Sequence, residues 1–324
     1  MNLLELFCHV DDFCQTFKTQ KPEKALPNSK KTRERHLSMT ASEIMTILIH
    51  FLALNQHLTG LGRFHQERHR DFKTYYQNHV RQYLTNEFPN LPSYQRFVEW
   101  IPRALIPLTA YLFAQLGSCS GITFVDSTPL VVCHNRRIQS HKTFKGIAAR
   151  GHTSVGWFFG FKLHLLFNDQ GQIVWLQLTP GNTDDRKGLL TMLENPLSTV
   201  FGKLVGDKGY VSQALLTRLA NEFGIQMVTR LKKKMHTNLP MLALDAWLLR
   251  KRAIAESIID QLKNISQIEH SRHRSPMNFL VNLVCGLIAY CHQPRKPGLV
   301  RVTDELVGAS VPDSFYVNPR QCVQ

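Results

Sequence analysis

Acidic residues are scarce in this chain. Only 24 Asp and Glu stand against 39 Lys and Arg in 324 residues, a formal charge of +15 with a pI near 9.7. That imbalance points to a polyanionic partner, nucleic acid ahead of an anionic membrane. A long hydrophobic run is missing too. The longest apolar stretch, residues 277–291, carries Asn278 and Asn282 and is about one helical turn short of a bilayer span, so a buried helix is expected there. The N-terminus has no basic residues ahead of its apolar ones and no small-residue cleavage site, so no signal peptide is expected. There is no CxxC pair. The cysteines, at 8, 14, 119, 133, 285, 291 and 322, are scattered and odd in number, which argues against a secreted disulfide scaffold and for a reducing cytosol. Cys8 with His9, Cys285 with Cys291 and His292, and Glu269 and His270 with His273 do not have zinc-site spacing. Buried thiols and surface histidines account for them.

The chain is long enough for a large domain with a smaller one, and no internal repeat or low-complexity tract is visible. Residues 1–16 read as an amphipathic helix. Residues 18–36, with two prolines and seven Lys/Arg against two Glu, read as a linker or basic arm. Thr40 and Glu43 form a capping box ahead of an apolar helix ending near Leu54, and helical patterns continue over 61–85 and 92–117. The texture changes at 118–121. Strand-like runs follow at 122–133, 157–168 and 172–180, the last two joined by a turn at Asn168–Gly171. Helices are expected near 184–195 and 212–223, short strands at 203–207 and 225–229, and a long helix over 242–265. Strands first, then alternating helix and strand, is the order of a ribonuclease-H-like domain. The expected fold is therefore α+β or α/β, a helical N-terminal domain (1–117), then a mixed-sheet catalytic domain (118–293), with residues 294–324 unassigned.

Within the second domain the acids can be taken singly. Asp126 lies in an apolar strand, where an unpaired charge is costly; a cap or turn made with Ser127 and Thr128 is the alternative. Asp207 ends a short strand before Gly209, and again a cap or turn is the alternative. In the ribonuclease-H topology the first and fourth strands are neighbours, so these carboxylates would converge. Arg252, Glu256 and Lys263 fall on one face of the 242–265 helix, which by itself fits an exposed ion-paired face equally well. Asp184 and Asp185 sit at a helix start, where capping is the natural reading. Asp169 belongs to the hairpin turn. The basic stretches 134–152 and 230–234 read either as solvated surface or as DNA contacts.

Asp126, then Asp207 in GDKGY, then Arg252, Glu256 and Lys263 spaced R-x3-E-x6-K, resemble the DDE transposases of bacterial insertion sequences, the last element matching the R, E and K of the signature known as YREK. Residues 1–292 are similar to the IS982 family, through 93-SYQRFVEW-100, 124-FVDSTP-129, 160-GFKLHLL-166, 179-TPGNTDDR-186 and 206-GDKGY-210; the tyrosine of the signature falls at Leu249. The resemblance implies a DNA transposase using two Mg²⁺ ions, with Mn²⁺ as a possible substitute, held by Asp126, Asp207 and Glu256. Lys208, Arg252 and Lys263 would meet DNA phosphates. It also implies inverted-repeat DNA ends and target DNA as partners, a homodimer on that DNA, no membrane, and the bacterial cytoplasm. Two rivals stand beside it, a ribonuclease-H-like nuclease that cuts without rejoining and a DNA-binding protein whose catalytic domain is no longer used.

Overall fold

The structure, a computed structural model, describes residues 2–19, 37–54, 69, 71–230, 242–269 and 273–299. Most of the basic arm, residues 231–234 of the second basic run, and the tail from 300 onward lie outside the described residues.

The first part is helical. Helix α1 spans Leu3–Thr19 and α2 Ala41–Ala53. The expected capping box is formed, with the Glu43 amide donating to Thr40 Oγ1 (3.2 Å) and the Thr40 amide to Glu43 Oε2 (2.6 Å). Helices α3 (Phe72–Tyr75) and α4 (Arg81–Tyr83) are joined by a π turn, and α5 (Tyr94–Trp100) and α6 (Leu105–Ala114) follow. Their aromatic faces interlock: Phe72, Tyr76 and Phe97 pack ring against ring, with Tyr76 and Phe97 centroids 4.8 Å apart.

The sheet follows. Strands β1 (Ile122–Cys133), β2 (Ala149–Thr153), β3 (Gly156–Asn168), β4 (Ile173–Pro180), β5 (Gly202–Val205) and β6 (Ile225–Val228) lie in the order β2–β3–β1–β5–β6, with β4 also on β3. The pairs β1–β3 and β3–β4 are antiparallel, whereas β1–β5 and β5–β6 are parallel. The expected turn joins β3 to β4, its Asn168 side chain accepting from the Gln170 and Gln172 amides. Helices α7 (Asp185–Leu193) and α8 (Gln213–Phe223) cover one face; α9 (Ala243–Lys251), α10 (Ala253–Asp260) and α11 (Pro276–Cys291) follow β6.

Alternation along β1 separates the two faces. Val125 packs in the cluster built from α7 and α8, with Leu189, Met192, Leu215 and Leu219. Phe124 belongs to the larger core, which also takes in Ala255 and Ile258 of α10. That core is continuous with the helical part, because α11 packs on α2 and α6 and buries Phe279, Val281, Leu283, Leu287, Ile288 and Tyr290. The stretch read from sequence as a membrane-length shortfall is thus a buried helix. Among the described residues no helix is long and apolar enough to cross a membrane.

The basic stretch 134–152 ends in β2, held by its register with β3. One expectation is corrected. The helix expected over 242–265 is broken at Arg252, the C-cap of α9 and N-cap of α10, and it closes in a π turn over Gln261–Ile265.

Candidate active site

β1 and β5 run parallel with Phe124 opposite Val205. Two residues further along each chain come Asp126 and Asp207, so both leave the sheet on the face of Phe124 and Val205, the face covered by α10. β5 itself ends at Val205. Gly206 follows, tightly packed: a Cβ there would stand 2.6 Å from Met227 Cε and 2.9 Å from Val125 Cγ1. Asp207 then opens a 3-10 turn over Lys208–Tyr210, and its carboxylate caps no amide of that turn. The side chain is left exposed beside the strand end, unlike the cap that its neighbours in sequence also allowed.

Glu256 arrives from the first turn of α10. Arg252 stands between the acids, donating from Nη2 to Glu256 Oε1 (2.6 Å) with Nη1 3.9 Å from Asp126 Oδ2. Asp126 also accepts from the Ser127 amide (2.8 Å). Burial pushes the Asp126 carboxyl up to about 6; the Ser127 amide and Arg252 oppose that, while Asp207 and Glu256 add to it by like-charge repulsion. A cleft of about 210 Å³ opens here, lined by Gly206, Asp207, Lys208, Leu249, Arg252 and Glu256, and also by Arg230 and Arg250. Among the described residues no three His, Cys, Asp or Glu stand as a ready metal cluster; as the side chains lie, Arg252 bridges Asp126 and Glu256.

The structure therefore brings Asp126, Asp207, Glu256, Lys208 and Arg252 to one place. It does not bring Lys263, which pairs with Glu269 (2.9 Å), whose other oxygen accepts from the Val131 amide. Lys263 lies in the π turn beyond the end of α10, and the break at Arg252 separates it further from a single helical face. Leu249, at the tyrosine position of the signature, is buried at the cleft wall. Arg250 was missed; the only sequence signal for it is a cation in the last turn of a helix ending beside Arg252.

A second arrangement lies on the opposite face. Ser127 sits one residue past Asp126 and so points the other way, donating to Asp185 Oδ1 (2.7 Å). Asp185 also pairs with Lys162 (3.0 Å), which donates to the Thr183 carbonyl (2.8 Å). His164 is fully buried alongside, hydrogen-bonded to Thr179 through Nε2, and burial pulls its pKa down to about 4. Gly188 lies against this ring, where any Cβ would come within 2.6 Å of it. Sequence reasoning assigned Asp184 and Asp185 alike to capping, yet they differ. Asp184 is the N-cap, accepting from the Arg186 amide, and hydrogen bonds from the Arg186 side chain hold its carboxyl down to about 2. Asp185 fastens α7 to β1 and β3. An isolated lysine in the apolar run of β3 was the available signal, since a buried charge requires a partner.

Two stability results follow. Asp184→Ala is expected to cost about 1 kcal/mol through the lost cap. Asp185→Ala is expected to cost more, about 2–3 kcal/mol, because it leaves the nearly buried Lys162 without its counter-charge. Urea unfolding of both variants measures the order, and equal losses would contradict it. For Asp126 the folded pKa lies above the unfolded one, so ionisation opposes folding as pH rises through about 4 to 6. Asp126→Asn should then be more stable than the parent by about 2 kcal/mol at pH 8 and equal to it near pH 4. Unfolding curves at the two pH values check the sign.

Residues 116–276 match the protein-family model described as the transposase DDE domain. Among curated proteins none matches the chain. The family match supports a DDE transposase, and the matched segment takes in the whole sheet together with Asp126, Asp207, Arg252 and Glu256.

Proposed function

We propose that this chain is an insertion-sequence transposase of the IS982 type that frees 3′-OH ends at its element's inverted repeats and joins them to target DNA. The observation that carries this reading is the convergence of Asp126 and Asp207 from adjacent parallel strands beside Glu256, inside the segment that matches the DDE domain. The strand order β4–β3–β1–β5–β6, with two antiparallel and two parallel pairs, supports a ribonuclease-H-like core.

Asp126, Asp207 and Glu256 form an all-oxygen donor set, which suits hard divalent cations. Burial raises the Asp126 carboxyl, with Asp207 and Glu256 adding to it against Arg252, and three carboxylates set this close are a donor set that fits the group. Two Mg²⁺ ions, or Mn²⁺ in their place, would be held by Asp126, Asp207 and Glu256. Bound there, they would supply an activated nucleophile and charge stabilisation at the scissile phosphate and the leaving oxygen.

The chain's own contribution is positional. Asp126 stands on a strand fixed by pairing, Asp207 two residues past the end of the neighbouring strand, and Glu256 on a helix packed against β1. Lys208, Arg252, Arg230 and Arg250 ring the cleft with positive charge suited to phosphates. Lys263 enters this group only if its pairing with Glu269 is given up. The helical part, with its basic surroundings, would recognise the DNA ends and pair two protomers, since two ends must be joined together. A bacterial cytoplasmic setting accords with this role.

The test is incubation of the full-length chain with duplex carrying the element's terminal repeats, with and without Mg²⁺, followed by separation of nicked, double-cut and joined products. Joined products support transposition. Cutting without joining would favour the nuclease, and binding without either would favour a protein that has lost its chemistry.

A further inference from the structure

The hairpin of β2 and β3 has no place in the chemistry above, yet its composition is unusual. From Ser127 to Asn168 the chain contains no Asp or Glu at all. Arg136, Arg137, Lys142, Lys145 and Arg150 all lie exposed in that interval. One face of the hairpin is sealed. Gly151 has no room for a side chain, as a Cβ would stand 2.1 Å from the Gly181 carbonyl oxygen, and Phe158 is buried beneath it.

The other face is open and carries Arg150, His152 and Trp157, with His152 directly opposite Trp157 across the strand pair. Trp157 is 56% exposed and Val155, at the tip, 96% exposed. Exposure of an indole on this scale has to be set against the burial of Trp100 and Trp175. The ring is also held in place. The Arg150 guanidinium stacks over it at 4.8 Å, His152 meets its edge at 4.9 Å, and Asn135 donates to the Trp157 carbonyl (2.7 Å), bringing the Arg136–Arg137 turn alongside. A fixed aromatic ring with one cation behind it and others around it, in a segment with no Asp or Glu of its own, matches what nucleic acid offers: a base to stack on and phosphates on either side. Counted along β3 from the partner of Asp126 to the tip, the hairpin reaches at most about 30 Å from the carboxylates. That is within about one turn of duplex.

We propose that the open face of the β2–β3 hairpin is a second DNA contact, in which Trp157 stacks on a base released from the duplex while the surrounding cations hold the flanking phosphates. This rests on the reading of the chain as a DNA-acting protein. It adds a site outside the carboxylate cleft and assigns it to unpaired bases.

The experiment measures binding of the full-length chain to a short duplex of mixed sequence and to the same duplex interrupted by a single-stranded gap. The parent chain should favour the gapped DNA by about tenfold, the scale of one base stacked on an aromatic ring. Trp157→Ala should bring that ratio to about one with intact-duplex binding little changed, and Trp157→Phe should keep part of the preference. Arg136→Ala combined with Arg137→Ala should weaken both DNAs alike and flatten the dependence of log affinity on log salt. The inference is overturned if the parent shows no preference for the gap, or if Trp157→Ala keeps the parent's ratio. Binding to neither DNA would remove the DNA reading itself, which separates that failure from failure of the hairpin assignment.

Discussion

Replacing Asp126, Asp207 or Glu256 singly by Ala is expected to lower DNA strand cleavage by on the order of 10³-fold or more, with binding to duplex DNA held within a few-fold of the parent. The two effects separate because affinity for DNA comes mostly from phosphate contacts by cations, whereas each carboxylate is one of the three proposed oxygen donors. The Asp126 variant is the most informative of the three. Burial, reinforced by Asp207 and Glu256, disfavours the ionised form of the carboxylate that the proposed chemistry needs, so Asp126→Asn should stabilise the fold at pH 8 while it destroys the activity. A variant more stable than the parent at pH 8, still bound to DNA and inert in cleavage, is a combination that a merely damaged protein cannot give. Near-normal cleavage by any one of the three variants would remove that residue from the site.

The second large effect concerns truncation. A chain ending at Leu116 is expected to show no cooperative unfolding transition, although it contains every helix before the sheet. Helix α11 supplies Phe279, Val281, Leu283, Leu287, Ile288 and Tyr290 to the core shared with α2 and α6. At roughly 1.5–3 kcal/mol for each large apolar side chain, losing them costs about as much as the whole stability of an ordinary domain, roughly 5–15 kcal/mol. Circular dichroism and urea unfolding of the fragment measure this, and a sharp transition of near-parental stability would contradict it. Recognition of DNA ends by the helical part is accordingly better tested by substitutions in the full chain than by cutting at the start of the sheet.

Much of this was legible in the sequence, and the parts that were not share a cause. Local chemistry gave the capping box at Thr40, the turn at Asn168–Gly171 and the long apolar strands. The meeting of Asp126 with Asp207 was legible because the order of strands and helices implies which strands are neighbours. What local chemistry does not encode is how distant pieces settle against one another. Residues 149–153 lack an apolar alternation, and they become a strand only by pairing with β3. No proline or glycine announces the break at Arg252 or the π turn that holds Lys263. Asp185 looks in sequence like its neighbour Asp184, and only the arrival of Lys162 and Ser127 from other strands distinguishes them. The docking of α11 on α2 joins segments more than two hundred residues apart, and its docking on α6 spans more than one hundred and fifty, beyond the reach of any periodicity.

Strand β1 presents Asp126 to one side of the sheet and Ser127 to the other, and it is clamped between β3 and β5. A strand so clamped has a phase, and the phase is a single residue deep. Gain or loss of one codon just ahead of Ile122 that shifted β1 by one step would turn the serine into the cleft and drive the acid toward Lys162 and α7, disabling the chemistry and the anchorage of α7 in one event. Point substitutions along β1 would damage one side at a time. Length, more than identity, is thus what this strand can least afford to have altered over generations, and insertions or deletions between Leu116 and Asp126 should be the rarest survivors among diverging copies of this chain.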